Sequence, residues 1–223
     1  MKSTVLSEFE TQSVCDALIL LLPEFEWENN SLFRALDEKC QGSLRSEAVE
    51  CQFVAKPFQL VGISTSNALP YRRIFLVGLG SAENLANFEF KRCGALCARA
   101  AAKYGLKSIR FDWREKSLEA ATPVTIARIK RVYEGLLLAG YRFARYKSEG
   151  SEQDRFDFEV SFIGKELAGM GVPDFEESER LVRAIKTARD WVNEPAAFLT
   201  PNALSKRAVE WWGTNNIDHV ARI

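Results

Sequence analysis

The chain of 223 residues has the composition of an ordinary globular protein. Hydrophobic residues make up 47% and charged residues 27%, which argues against both a disordered chain and a membrane protein. Thirty Lys and Arg balance thirty Asp and Glu, so the chain lacks the overall positive charge that would attract nucleic acid or an anionic membrane surface.

The N-terminal sequence MKSTVLSEFETQ carries two Glu where a secretory signal needs an apolar run, and the apolar stretch 17–22 is too short to cross a bilayer. We therefore expect a cytoplasmic protein. An odd number of cysteines without a signal peptide predicts reduced, buried thiols instead of disulfides, at positions Cys15, Cys40, Cys51, Cys93 and Cys97.

Strand-like and helix-like stretches alternate through the first half of the chain. Strand-like runs cover residues 3–9, 16–22, 51–58 and 59–65, and a helix is predicted over residues 30–40. The nearly continuous apolar run RRIFLVGL at 72–79 is typical of a central strand covered on both faces.

Ser81 is a plausible N-cap for the next helix. That helix carries small and apolar residues at helical spacing, so it can lie close against a sheet: Ala86, Phe90, Cys93, Gly94, Cys97, Ala98, Ala101 and Tyr104. A strand at 107–113, a helix at 123–142 and a half-buried strand at 155–164 follow. This order predicts an α/β sandwich with a largely parallel or mixed sheet.

The end of the chain predicts a domain junction. Residues 169–178 contain two Gly, a Pro and a run of acids, which favours a boundary. A connecting helix follows and should end near Asn193, because Pro195 cannot continue it. Thr200 and Pro201 then start a helix that runs to about Trp212. Residues 217–223 are predicted to begin a further strand.

Few residues are candidates for catalysis or metal binding. His219 is the single histidine, so a mechanism that needs two histidines is excluded. Cys93 and Cys97 have a spacing that can share a metal, but no second pair completes a tetrahedral site, and two buried thiols explain them better. Carboxylates are plentiful, but the sequence alone does not pair any two of them.

Three short motifs could carry a function, although a structural reading is favoured for each. GISTS at 62–66 nearly matches a nucleophile elbow but lacks its final Gly. GLGSAE at 78–83 could hold a phosphate, although Glu83 stands where a dinucleotide-binding loop has Gly, and a tight strand-to-helix turn explains both glycines better. YRFARYK at 141–147 could grip single-stranded nucleic acid, or it could be a basic helix end.

Three stretches together resemble the leucyl aminopeptidase family of cytosolic metalloexopeptidases. They are RRIFLVGLG at 72–80 with the Ala-rich helix after it, EGLLLAGYRFARYKS at 134–148, and ARDWVNEPAAFLTPNAL at 188–204. The resemblance extends from about residue 70 onward, and more loosely over the part before it.

The resemblance implies a macro-like α/β domain that contributes to a hexamer, and a later catalytic domain with two divalent metals, zinc or manganese, acting on peptides. The family's N-T-D-A-E-G-R motif and its metal-binding loop are absent from this sequence. We therefore assign no catalytic or metal residue and no cofactor to this chain, and expect it to be inactive alone.

The predicted organisation has three parts. Residues 1–168 form the N-terminal macro-like α/β domain, a three-layer sandwich, and residues 169–193 form a linker and connecting helix. Residues 194–223 begin a truncated peptidase domain. Two alternatives stay open, namely a macro-like module that binds a nucleotide phosphate such as ADP-ribose, and a nucleic-acid-binding domain.

Overall fold

The computed structural model of the chain describes residues 2–6, 14–24, 27–81, 89–114, 122–143, 145–146, 157–164 and 175–214. The predictions for residues 217–223, His219 and most of the 169–178 boundary lie outside these ranges. Among the described residues, no helix is both long enough and apolar enough to cross a membrane.

The strands within the described ranges are β1 (Lys2–Leu6), β2 (Cys15–Pro23), β3 (Leu60–Ser64), β4 (Tyr71–Gly80), β5 (Ser108–Asp112) and β6 (Glu159–Ile163). They form one sheet with the order β1-β6-β5-β2-β4-β3. All neighbouring strands are parallel except β3, which pairs with β4 in antiparallel orientation at one edge.

The helices lie between and after the strands in the chain. They are α1 (Ser31–Lys39), α2 (Ser43–Glu50), α3 (Phe90–Lys103), α4 (Thr122–Ala139), α5 (Phe175–Asn193) and α6 (Pro201–Thr214). A 3-10 turn at Trp27–Asn29 precedes α1.

The sheet is covered on both faces, because successive side chains of a strand point to opposite sides. In β2, Ala17, Ile19 and Leu21 pack in a core with α3 and α4. Leu18, Leu20 and Leu22 pack in a second core with α1 and α2. The predicted three-layer α/β sandwich with a largely parallel sheet is therefore confirmed.

Helices α3 and α4 cross at two glycines. A Cβ atom on Gly94 would lie 2.0 Å from the carbonyl oxygen of Val132, and one on Gly135 would lie 1.8 Å from that of Lys91. The predicted small-residue stripe thus allows close packing, but its tightest contact is with α4 and not with the sheet. Beside the crossing, the carboxylate of the buried Glu134 forms an ion pair with Lys91, with 2.6 Å between Oε2 and Nζ.

Helix α5 is packed at its N-terminal end and exposed toward its C-terminal end. The ring of Phe175 lies 4.4 Å from that of Tyr133, and the hydroxyl of Tyr133 donates to Glu179 at 2.7 Å. Val182 is buried, whereas Val192 is 85% exposed. A helix that ends at Asn193 is confirmed, whereas its role as a connection between two domains stays a prediction. Only the first part of its apolar stripe is covered.

Most of the strands and helices predicted from the sequence occur in the structure. The apolar run at 72–79 lies in β4, an interior strand between β2 and β3. The predicted start of α6 is also confirmed, because the hydroxyl of Thr200 accepts from the backbone N–H of Ala203 at 3.3 Å.

Three predictions are wrong. Residues 51–58 form no strand, since Gln52, Ala55 and Phe58 have positive φ angles. Phe53 and Ala55 are buried on either side of the exposed Val54, which resembles the alternation of a strand. Helix α3 has Glu89 and not Ser81 at its N-cap.

The five cysteines are free as predicted, but Cys51 is exposed and not buried. Helix α2, with only Leu44 and Ala48 buried, was not predicted.

Candidate functional site: the junction of two motif segments

Two of the stretches that carry the family resemblance contact each other. Residues 141–143 and 145–146 follow α4, and residues 189–198 cover the end of α5 and the corner after it. We call the contacts between these two segments the junction. They hold the end of α5 and the corner after it against the residues that follow α4.

Tyr141 forms the first set of junction contacts. Its hydroxyl donates to Asp190 at 2.9 Å and accepts from the side-chain amide of Asn193 at 3.2 Å. The guanidinium of Arg189 lies 4.0 Å above the tyrosine ring. Partial burial and the hydrogen bond to the Asp190 carboxylate raise the pKa of Tyr141. The end of α5 is thereby tied to the end of α4.

Glu194 is the central charged group of the junction. Its side chain is only 2% exposed. The carboxylate forms ion pairs with Nη1 of Arg145 at 2.9 Å and with Nη2 of Arg207 at 3.5 Å. The hydroxyl of Tyr146 also donates to it. The hydrogen bond from Tyr146 is the largest cause of the lowered pKa of Glu194, and the interactions with Arg145 lower it further. Because a buried carboxylate without partners is costly, these donors are what permits it here.

The corner between α5 and α6 is built from local hydrogen bonds. The backbone N–H groups of Phe198 and Leu199 both donate to the carbonyl of Pro195, at 2.8 and 3.1 Å. The ring of Phe198 stacks on that of Tyr146 at 5.5 Å. The sequence predicts that one helix ends before Pro195 and that the next begins at Thr200. The chain between these two helices is packed against the ring of Tyr146.

A pocket of about 550 Å³ lies beside the junction. We call it the junction pocket. It is lined by Arg142, Phe143, Arg145, Thr187, Asp190, Trp191, Arg207 and Glu210. Three structural segments thus share one cavity, namely the residues after α4, the second half of α5, and α6.

The GLGSAE motif is explained by packing in its described part. The N–H of Gly78 donates to the carbonyl of Gln59 at 2.8 Å, and that of Gly80 donates to Ala55 at 3.0 Å. Gly80 has a φ of +75°, and a Cβ atom there would lie 2.6 Å from Pro57. These two donors are used within the fold, so they do not form a phosphate cradle. Residues 82 and 83 lie outside the described ranges.

The other sequence candidates also have structural roles. Gly62 and Ser64 belong to edge strand β3, which turns directly into antiparallel β4, so the strand-turn-helix context of a nucleophile elbow is absent there. Cys93 and Cys97 are fully buried in the sheet-facing side of α3. In the described part of the chain, no three His, Cys, Asp or Glu residues cluster as they would around a metal ion.

The YRFARYK segment is largely committed to the junction. Tyr141 binds Asp190, and Arg145 and Tyr146 both bind Glu194. Aromatic rings and cations held in this way are not arranged as a stacking surface for nucleotides. The alternative of a basic helix end is closer to what is observed, although Arg145 pairs with the carboxylate of Glu194.

Sequence reasoning did not identify Glu194 or its partners as a site. The sequence contains only an indirect signal for this site, namely that both segments carry the resemblance to the family. What a single sequence did not reveal is that the two segments face each other across almost fifty positions.

Comparison with known proteins identifies the family of the chain. Residues 23–150, more than half of the chain, match the family model described as cytosol aminopeptidase family, N-terminal domain. The chain is 30% identical over 215 residues to a probable cytosol aminopeptidase of Roseiflexus castenholzii, covering 94% of this chain and 40% of the relative. A probable cytosol aminopeptidase of Alkaliphilus metalliredigens is 26% identical, covering 93% and 42%.

Solved structures show the same fold. A tomato leucine aminopeptidase mutant superposes with a TM-score of 0.77 at 23% identity, covering 97% of this chain and 43% of that one. The bottromycin maturation enzyme BotP gives a TM-score of 0.61 at 24% identity, covering 92% and 38%. The chain spans about 40% of the length of the curated relatives it matches. The chain belongs to the cytosol aminopeptidase family and corresponds to its N-terminal portion.

Proposed function

We propose that this chain is the assembly and regulatory portion of a leucyl aminopeptidase. The longer enzyme would remove N-terminal amino acids from peptides by two-metal hydrolysis. The observation that carries the proposal is the match of residues 23–150 to the family's N-terminal domain, together with relatives that continue well beyond it. The names of those relatives support peptide substrates and a cytoplasmic location.

The metals of the proposed enzyme would be two divalent ions, zinc or manganese. Such a pair supplies Lewis-acid polarisation of the scissile carbonyl and an activated water. By the resemblance, the Asp, Glu and Lys ligands belong to the catalytic domain, so we assign none of them to residues of this chain. On this proposal the chain by itself is inactive.

The role that we assign to these residues is structural. The proposed parts remain 1–168 as a macro-like domain, 169–193 as the linker and 194–223 as the start of the peptidase domain. The junction supports this division, because it holds α5 and the corner after it against the sandwich. A fixed exit direction is what a domain needs if it is to set the positions of catalytic domains in a hexamer.

An activity assay tests the proposal. The 223-residue chain is incubated with leucine 4-nitroanilide and added Mn²⁺ or Zn²⁺, and no turnover above the metal-only blank is expected. A polypeptide that continues the same reading frame into the catalytic domain is the matched positive arm. Turnover by the 223-residue chain in proportion to its concentration, with metal bound stoichiometrically, would overturn the claim that it is inactive alone.

Neither alternative function is favoured by an observation. A nucleotide phosphate would need backbone donors at Gly78 and Gly80 that the fold already uses. The Gly80→Glu variant is also a poor probe for ADP-ribose, because any side chain there meets Pro57 and would disturb the fold first. Nucleic-acid binding would need aromatic and cationic groups that the junction holds.

A further inference from the structure

Strand β3 presents an open edge of the sheet. It lies last in the strand order, and no strand within the described ranges pairs with its outer side. At its end, the N–H of Thr65 donates to the carbonyl of Arg72 at 3.2 Å, which sets the phase of the antiparallel ladder. Because such pairing alternates along a strand, Leu60, Gly62 and Ser64 direct their backbone N–H and C=O groups away from β4. Each of these three residues therefore has one donor and one acceptor that β4 does not use.

This edge lacks the usual protection against further pairing. Proteins commonly protect an exposed edge with charged residues, a Pro or a bulge within the strand. The sequence of β3 is LVGIS, which contains no charged residue and no Pro. Its pairing with β4 runs in unbroken register from Leu60 to Ser64. The outer side of β3 is therefore suited to pairing with another extended segment.

Two cations lie together beside this edge. The guanidinium carbon of Arg73 lies 4.0 Å from the centre of the Tyr104 ring, and Nζ of Lys103 lies 5.6 Å from it. We call these three residues the basic cluster. Within the described ranges, neither cation of the cluster forms an ion pair with a carboxylate. Two cations on one ring without a counter-charge favour an anionic partner.

The ring of Tyr104 connects the basic cluster to the edge. A Cβ atom on Gly62 would lie 3.6 Å from this ring, so the ring lies directly beside the strand. Arg73 is opposite Ser64 in the register of β3 and β4, and opposite side chains lie on the same face of a sheet. In an added strand, the residues opposite Gly62 and Ser64 would also lie on that face. Acidic side chains at those two positions would meet the cations.

We propose that β3 and the basic cluster form a docking site for an extended, acidic polypeptide segment that adds to the sheet as a further strand. The outward backbone groups of Leu60, Gly62 and Ser64 bind the backbone of the segment. Acidic side chains two positions apart bind the two cations of the basic cluster. This binding does not depend on whether the longer protein is a peptidase.

Fluorescence anisotropy of the 223-residue chain with a labelled peptide tests the site. The probe is the peptide TEVEVTV with an amidated C-terminus and an uncharged fluorophore at its N-terminus, and its matched control has Lys in place of both Glu. We expect the acidic peptide to bind with a Kd of about 100 μM or less, and the Lys peptide to bind at least about tenfold more weakly. An increase in salt from about 50 to about 300 mM should weaken the acidic peptide several-fold, because it screens exposed charges. Equal binding of the two peptides, or no anisotropy change with the chain at about 0.5 mM, would overturn the proposal.

Hydrogen exchange measured by NMR distinguishes strand addition from a purely electrostatic contact. The outward amide protons of Leu60, Gly62 and Ser64 should exchange at least about tenfold more slowly when the acidic peptide is saturating, because they become hydrogen-bonded. Binding of the peptide without protection of these three amides would show that no strand is added, and the proposal would be wrong.

Variants connect the binding to the named residues. R73Q and K103Q should each weaken the acidic peptide about threefold or more and reduce its salt dependence. K39Q removes an exposed lysine at the end of α1, which packs on the other face of the sheet, and should bind normally. S64P removes an outward N–H that β4 does not use, so it should weaken the peptide at least about tenfold with little change in Tm. If S64P lowers the Tm, the charge variants decide, and unchanged affinity in both R73Q and K103Q refutes the assignment.

Two other occupants of the edge give different results. If a second copy of the chain occupied it, sedimentation velocity would show a concentration-dependent dimer that S64P abolishes. If a nucleic acid bound the basic cluster, a short oligo-dT strand would displace the acidic peptide with equal or higher affinity. We expect a monomer and no such displacement, and either of the other results would overturn the assignment to an acidic polypeptide segment.

Discussion

Nη1 of Arg145 lies 2.9 Å from Oε2 of Glu194, across 49 positions of sequence. The two partners differ in exposure, since 58% of the arginine side chain meets solvent but only 2% of the glutamate side chain does. Loss of the arginine would leave a buried carboxylate with fewer donors. Loss of the carboxylate would remove the one group on which Arg145, Tyr146 and Arg207 converge.

The E194Q variant should be less stable than the parent chain at neutral pH, and this difference should depend on pH. The folded-state pKa of Glu194 is lowered, so its contribution to stability is present above the unfolded value of about 4.3 and is lost as the pH falls through the lowered folded value. Urea unfolding of both proteins between neutral and acidic pH measures the difference. It should shrink below pH ~4.3.

A matched control for this experiment is E50Q, which neutralises an exposed glutamate at the end of α2. Its stability should stay within about 0.5 kcal/mol of the parent at every pH. Parallel pH curves for the parent and E194Q would mean that the pKa of Glu194 is the same in the folded and unfolded chain, so that its ionised form does not stabilise the junction.

The Y146F variant should raise the pKa of Glu194. The phenolic hydrogen bond is the largest cause of the lowered value, and phenylalanine removes it while keeping the ring that stacks on Phe198. The measurement is an NMR pH titration of the side-chain carboxyl carbon, assigned by its loss in E194Q. Y141F, which removes the hydroxyl bound to Asp190, should leave this titration unchanged. An equal shift in both variants would show a general loosening of the junction.

The sequence was sufficient to predict most of the strands but not the site. Strands β2 and β4 are buried on both faces, so their apolar runs identify them without knowledge of their neighbours. The segment 51–58 shows the limit of this reasoning. Phe53 and Ala55 are buried at alternating positions, yet the backbone turns through positive φ at Gln52 and Ala55 and hydrogen-bonds irregularly to the end of β4.

The junction could not be predicted because its residues have ordinary local explanations. Glu194 precedes Pro195 at a helix end, where a polar surface residue is expected, and Arg145 and Tyr146 look like a basic end of α4. Burial of Glu194 follows only from the packing of the two segments against each other. Such pairing at long range leaves no periodic pattern in either segment.

The crossing of α3 and α4 should not tolerate a methyl group at its glycines. Because the atoms in the way are backbone carbonyl oxygens, they cannot move aside as a flexible side chain would. G94A and G135A should each lower the free energy of unfolding by at least about 2 kcal/mol. Denaturant titration measures this as a lower midpoint with an unchanged slope.

Gly213 provides the opposite case within the same chain. It lies in α6, and a Cβ atom there would meet nothing within 4 Å. G213A should therefore be neutral or stabilise the chain by up to about 1 kcal/mol, since alanine favours the helix. If G94A behaved like G213A, the two helices would have to lie further apart than described.

The thiols should differ sharply in reactivity. Cys51 is exposed, whereas burial raises the pKa of Cys15 and Cys40. The hydrogen bond that the Cys97 thiol makes with Cys93, together with full burial, raises the pKa of Cys97 well above its ordinary value. Since the thiolate is the reactive form, brief treatment of the folded chain with iodoacetamide should label one cysteine, and treatment in denaturant should label all five.

Mass spectrometry of the intact chain and of its peptides checks both the number and the position of the labels. The C51S variant is the control, and its folded form should remain unlabelled over the same time because its other thiols are shielded. Rapid labelling at Cys93 or Cys97 would require that α3 separates from the sheet in the folded state, since both thiols are fully buried between them. That result would contradict the packing on which the described core rests.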